Sequence, residues 1–375
     1  MDIILNVGHL FVYYLFPFIA VLGIMIFFHE LGHFLAAKYF GVTVLKFALG
    51  FGPPIVEKKI GATEYSIRYF PLGGFVKMLG EDIDEEEEPH DPDPEDNPGS
   101  FNNQHVLKRM AIVAAGPFFN IVLAWFLFCG VLAFAGKDLR TAEIGQVRPS
   151  SPAEKAGLKK GDTVISLEGI PIDNWDQIRK VVQEKGYSLL NVTVKRGDEF
   201  LTVAVTPEES VLKNEFGEDK KVPLIGIVDA GKFTRVEVTP LQALIDGSKQ
   251  TWKWISLTFL VVIKLFQGVV PIKTLGGPIL IGQLTGQLAQ QGFSNLIPFM
   301  AIISINLGIL NLFPIPILDG GLIIFLLIEL VLGKPLSLHK REIAQKVGVF
   351  LLILLMVVVT YNDLSRIKLF ERLFG

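Results

Sequence analysis

Residues 29–33 read His-Glu-Leu-Gly-His. On an α-helix, residues four apart lie about 40° apart around the axis, so both imidazoles face one side. Neutral imidazole nitrogens are good zinc ligands, and such a pair forms half of a tetrahedral site. Glu30 falls on the adjoining face, within reach of a water at the metal. A carboxylate there can accept the water's proton and later deliver it to a leaving amine. The five-residue pattern alone is common. Here it ends a charge-free run, residues 10–28, where two histidines and a glutamate are expensive to bury without a purpose.

A catalytic zinc needs a third protein ligand and keeps a fourth position open. The histidines are His9, His29, His33, His90, His105 and His339. Only His29 and His33 fall at membrane depth. Asp319 is the one charge in the apolar run 294–328, after Pro314-Ile315-Pro316-Ile317-Leu318 and before Gly320-Gly321. An unpaired carboxylate there is costly, and a metal would neutralise it. Its plainer use is to cap a helix that restarts after the prolines.

The elements that must position these residues are membrane helices. Half of the 375 residues are hydrophobic and only 19% are charged, with mean hydropathy +0.46. That is too apolar for an ordinary soluble protein, and the apolar residues cluster in long runs. Run 10–28 approaches the ~30 Å of a bilayer core, and its helix should continue through HELGH to about residue 38. It carries Asp2, has no basic start and no small-residue cleavage site, so it reads as a retained span rather than a signal peptide. Further runs cover 110–136, 294–328 and 343–361. Pro314 and Pro316 should break the third just before Asp319. Residues 252–270 contain Lys253 and Lys264, and suit either a span or an interfacial amphipathic helix.

Between the first two runs, residues 64–70 and 73–78 read as two short strands around a Pro71-Leu72-Gly73-Gly74 turn. Eleven of the sixteen residues 81–96 are acidic and none is basic, which predicts a self-repelling loop; no calcium-loop spacing occurs in it. Residues 141–228 turn polar, with strand patterns at 163–167, 188–194 and 201–205 and an amphipathic helix at 175–184. They predict a small α+β domain inserted between spans. The net charge of −3 suggests no nucleic-acid partner. The single cysteine, Cys129, forms no internal disulfide and reads as a small buried hydrophobe. Lys38, Lys46, Lys58, Lys59, Lys77, Lys108 and Arg109 mark the first loop as cytoplasmic, and Lys334, Lys340, Arg341 and Lys346 do the same for the last. With four spans, both termini and the inserted domain are then extracytoplasmic, and 252–270 is non-spanning or re-entrant.

HELGH, together with Asn311-Leu312-Phe313-Pro314-Ile315-Pro316-Ile317-Leu318-Asp319-Gly320-Gly321, resembles the paired signatures of the site-2 protease family of intramembrane zinc metalloproteases. Gly50-Phe51-Gly52-Pro53, residues 71–78, Gly116-Pro117-Phe118-Phe119-Asn120 and Gly276-Gly277-Pro278 follow the order of its bacterial RseP-type branch. The resemblance covers almost the whole chain. It implies that His29, His33 and Asp319 bind Zn2+, that Glu30 activates water, and that Asn120, Asn306 and Asn311 engage the substrate. For the asparagines, hydrogen bonds between helices are the alternative. Residues 152–162 and 164–169 resemble a PDZ domain of the bacterial protease type, which occurs once here where the branch's type member is described with two.

The fold class expected is a polytopic α-helical membrane protein of about four transmembrane helices, with a membrane-associated β-hairpin and an inserted α+β PDZ domain. Its parts are the first span (1–40), a cytoplasmic β region with the acidic loop (41–107), a second span (108–137), the extracytoplasmic PDZ domain (138–232), a linker with an amphipathic or re-entrant helix (233–293), and two last spans (294–375). The expected partners are membrane-spanning protein substrates, anti-sigma factors among them, in a bacterial inner membrane. A non-enzymatic PDZ scaffold would not require the ligand set. An ion-coupled transporter would show internal repeats, which the sequence lacks.

Overall fold

The computed structural model describes residues 10–81 and 97–367. Most of the acidic run, with His90, lies outside the described residues, as does His9. The chain forms two compact units. One comprises Met1–Val131, Leu244–Ile263 and Pro271–Gly375; the other comprises Leu132–Ala243 and Lys264–Val270.

Among the described residues, four helices are long and apolar enough to cross a membrane: Phe11–Tyr39, Val106–Ala135, Phe293–Asn311 and Leu338–Arg366. Helical backbone satisfies its own polar groups, which hydrocarbon requires of a span. Helix α1 is Phe16–Tyr39, and α2 is Val106–Ala135. The run 294–328 is two helices, α7 (Phe293–Asn311) and α8 (Asp319–Leu332). They part at the segment holding Pro314 and Pro316, where missing amide hydrogens end a helix. Asp319 therefore opens a helix of fourteen residues, about 21 Å long at 1.5 Å per residue and short of a full crossing.

Residues 252–270 belong mostly to a longer helix, α5 (Pro240–Phe266). It is not among the four span-forming helices. Its Trp254 and Ile255 pack against Ala124, Phe128, Ala301 and Ile305, so it joins α2 and α7 through an apolar face.

The β region corrects one expectation. Strands β1 (Val44–Ile60) and β2 (Thr63–Met78) pair antiparallel across a turn at Gly61 and Ala62, not at residues 71–74. The two expected strands, 64–70 and 73–78, do not pair with each other. Both lie against the first part of β1: Phe47 faces Val76 and Tyr65, and Leu49 faces Gly74 and Ile67. Both strands bend where glycine and proline interrupt the ladder, at 50–54 in β1 and at 71–74 in β2. Gly50 has φ +90°, which L side chains rarely adopt. Sequence pattern finds such strands but not their partners, because pairing is non-local.

The second unit is the inserted α+β domain. A four-stranded sheet runs β6-β5-β7-β8, made of β6 (Ile170–Pro171), β5 (Thr163–Leu167), β7 (Leu190–Arg196) and β8 (Glu199–Val205). Alternate residues Leu190, Val192 and Val194 of β7 are buried. Helix Trp175–Lys185 is capped by Asn174, which accepts from the Gln177 amide at 3.1 Å. It turns Trp175, Ile178, Val181 and Val182 into the same core.

Buried Asp162 accepts from Arg196 Nε at 2.7 Å and from the Lys159 amide at 2.8 Å. Burial pushes this carboxyl up, but the Arg196 and Lys159 hydrogen bonds outweigh it and hold it below the usual carboxylate range. A depressed carboxyl contributes stability that is complete above its unfolded pKa and is lost as pH falls through the folded one. The inserted domain is therefore expected to lose thermal stability below about pH 4. Asp162→Asn should flatten that fall; melting curves of both proteins against pH check it.

Candidate active site

His29 and His33 stand one turn apart on α1, both buried, with ring centroids 4.9 Å apart and Nε2 atoms 3.3 Å apart. Asp319, delivered by the proline break, brings Oδ2 to 3.1 Å from His29 Nε2 and Oδ1 to 3.6 Å from His33 Nε2. One ligand atom from each residue lies within 4.8 Å of the others. Among the described residues this is the one cluster of its kind.

The donor set fits a borderline-soft divalent cation such as zinc. Two observations support the fit. Asp319 Oδ2 is buried and accepts no hydrogen bond, although His29 Nε2 is close; a bound cation would satisfy it. His33 Nδ1 lies 3.0 Å from the carbonyl oxygen of Ile112. A carbonyl only accepts, so Nδ1 carries the proton and Nε2 turns its lone pair to the cluster.

His29 is oriented from behind as well. Its Nδ1 faces the Asn120 amide nitrogen at 3.1 Å, while Asn120 Oδ1 is buried without a partner. An amide turned through 180° brings that oxygen to an Nδ1–H and frees His29 Nε2 for a metal. Ser304 Oγ donates to the Asn120 carbonyl at 2.8 Å and ties α7 to α2 at the same level.

Glycines set the spacing. A Cβ on Gly116 of α2 would strike the His33 ring, 2.9 Å from Cδ2 and nearer to other atoms. On Gly74 of β2 it would lie 2.9 Å from Glu30 Cγ and 3.0 Å from the Ala48 carbonyl oxygen. Thus α2 closes over His33, and a strand passes directly over Glu30.

The three asparagines divide. Asn120 and Asn311 both reach His29, with Asn311 Nδ2 3.4 Å from Nε2. Asn306 instead accepts from Thr258 Oγ1 of α5 at 2.7 Å. Sequence reasoning did not find the Ile112 carbonyl, which no side chain announces, nor the spacing role of Gly116.

The sequence profile of Peptidase family M50 matches residues 17–355, which span both arms of the cluster. The chain belongs to Peptidase family M50. This M50 chain is 37% identical to a Campylobacter jejuni protein named, provisionally, as a zinc metalloprotease, over 93% of this chain and 92% of that one. It is 32% identical to the regulator of sigma-W protease RasP of Bacillus subtilis, over 96% of this chain and all of that one. Among solved structures, the PDZ domain of an SdrC-like protein from Listeria monocytogenes covers 24% of this chain and 87% of its own, at 18% identity and TM-score 0.20. As an M50 member the protein is an intramembrane metalloendopeptidase of the site-2 protease type. Its fold class is that of a polytopic helical membrane protein with a β-hairpin and an inserted α+β domain.

Proposed function

We propose that this M50 chain cuts peptide bonds within transmembrane segments of regulatory membrane proteins, with zinc held by His29, His33 and Asp319 and with Glu30 as proton carrier. The observation that carries this reading is the convergence of two imidazole nitrogens on a half-buried carboxylate whose buried Oδ2 lacks a hydrogen-bond donor. Zinc in that cluster would supply Lewis acidity and lower the pKa of a water to near neutrality.

The remaining work belongs to the chain. Ile112 and Asn120 hold the two rings in their metal-ready orientations. Glu30, one residue beyond His29 and packed under Gly74, takes the proton from the attacking water and returns it to the leaving amine. A helical substrate shields its amides, so the scissile segment must unwind. An extended strand laid along the β2 segment that crosses Glu30 would present its carbonyl there by strand addition. Asn311, beside His29 and only half-buried, is the asparagine we assign to substrate. Asn120, fully buried, acts through His29, and Asn306 would have to release Thr258 to take part.

The basic loops support a reading in which the β region faces the cytoplasm of a bacterial inner membrane and the inserted domain lies outside, as a docking module or size filter. Anti-sigma factors are among the substrates this reading includes, in line with the likeness to a protein named as a regulator of sigma-W protease. The test uses the full-length protein in proteoliposomes with a membrane-spanning substrate, and product termini read by mass spectrometry. Cuts should fall inside the apolar segment, stop with a zinc chelator and resume with added zinc. Cuts confined to soluble segments would overturn the reading.

A further inference from the structure

Arg109 and Glu329 form an ion pair that the proposed chemistry does not use. Arg109, 7% exposed, sits near the start of α2; Glu329 sits near the end of α8. Both guanidinium nitrogens engage the carboxylate: Arg109 Nη1 donates to Glu329 Oε2 at 3.3 Å, and Nη2 donates to Oε1. Arg109 Nε also donates to the Gln104 carbonyl at 3.1 Å.

The two helices it joins carry separate parts of the metal cluster. Three residues beyond Arg109, Ile112 accepts the hydrogen bond from His33. Ten residues before Glu329, about 15 Å along the helix, Asp319 faces both histidines. The packing between these points is apolar. Leu322, Ile323 and Leu326 of α8 join Ala37, Ile112 and Val113 in one cluster. Such packing is non-directional, so by itself it singles out no one axial position of α8 as a hydrogen bond would. Metal ligands tolerate far less displacement. A two-pronged arginine–carboxylate contact is directional in distance and in angle. Buried pairs add little net stability, and their best-attested use is to set register.

We infer that the Arg109–Glu329 pair is a register lock that sets α8 along its axis, so that Asp319 meets His29 and His33 at ligand distance. Both are positioning residues, since neither touches the cluster. The inference rests on the zinc reading for its consequence but not for its geometry.

Zinc affinity of the detergent-solubilised full chain is measured by competition with a chromophoric chelator. Glu329→Gln should weaken binding by roughly tenfold or more, the usual effect of losing a group that orients a ligand. Arg109→Lys keeps the charge but loses the fork, and should recover only part of the affinity. The swap of Arg109→Glu with Glu329→Arg should recover most of it. A second measurement needs no metal. In a Cys129→Ala background, His33→Cys and Asp319→Cys are bridged by a short bifunctional thiol reagent. Adding Glu329→Gln should cut the cross-linking yield severalfold, and adding the swap should restore it. Unchanged affinity and unchanged cross-linking would overturn the inference. A parent that binds no zinc, with cross-linking still sensitive to Glu329, would remove the zinc reading and leave the register lock standing. If Glu329→Gln fails to fold, Arg109→Lys and the swap carry both measurements.

Discussion

Glu30→Gln is expected to abolish peptide cleavage while the protein keeps its zinc. Glutamine has the shape of glutamate and leaves the packing under Gly74 intact. It cannot accept a proton from water. A positioned general base contributes about 10²–10⁴-fold in rate, and here the same group must also protonate the leaving amine, so the loss should reach the upper part of that range or exceed it. The measurement is cleavage of a membrane-embedded substrate, with zinc counted by elemental analysis of the same preparation. Substantial cleavage by a zinc-loaded Glu30→Gln protein would show that another group carries the proton. Loss of zinc along with activity would make Glu30 part of the cluster rather than its neighbour.

Asp319→Ala is expected to empty the site. The variant removes the one anionic donor from a set of three and leaves two imidazole nitrogens 3.3 Å apart with no counter-charge. A structural zinc site is worth on the order of 10 kcal/mol of binding, and loss of one of three ligands should bring zinc well below one per chain and cleavage to background. The competing use of Asp319, a negative charge in the first turn of α8, is worth only about 0.3–1 kcal/mol. The two roles therefore separate by size and by observable. If zinc content stays at one per chain and only the melting temperature falls by a few degrees, Asp319 is a helix-terminal charge and not a ligand.

Much of the positioning was legible in local pattern. Apolar runs marked the candidate spans because charged side chains are costly in hydrocarbon, and backbone that must satisfy its own polar groups there makes each run a helix. Pro314 and Pro316 announced the break that starts a helix at Asp319. Period-two alternation at 190–194 and the apolar stripe of Trp175–Lys185 announced the sheet and helix of the inserted domain. The site was legible only as residue types. His29 and His33 share a face by helical spacing, which is local. That Asp319 meets them depends on how helices distant in the chain pack.

What the sequence by itself determined about this M50 protease is which four runs are apolar enough to cross a membrane, where prolines stop a helix, and which side chains can hold a metal or move a proton. Those follow from hydropathy, from the missing amide hydrogen of proline and from donor chemistry, all properties of residues or short windows. Only the tertiary structure decided that the Ile112 carbonyl fixes the tautomer of His33, that Gly116 yields its side-chain space to an imidazole, that Asn306 bonds to Thr258, and that 64–70 and 73–78 flank β1 instead of each other. The physical reason is that a backbone carbonyl has no residue identity, an absent Cβ has no signal, and a partner across the fold has no spacing in the chain. The Arg109–Glu329 pair belongs with these: two ordinary charges at the ends of apolar runs become a directional contact only when α2 and α8 lie side by side.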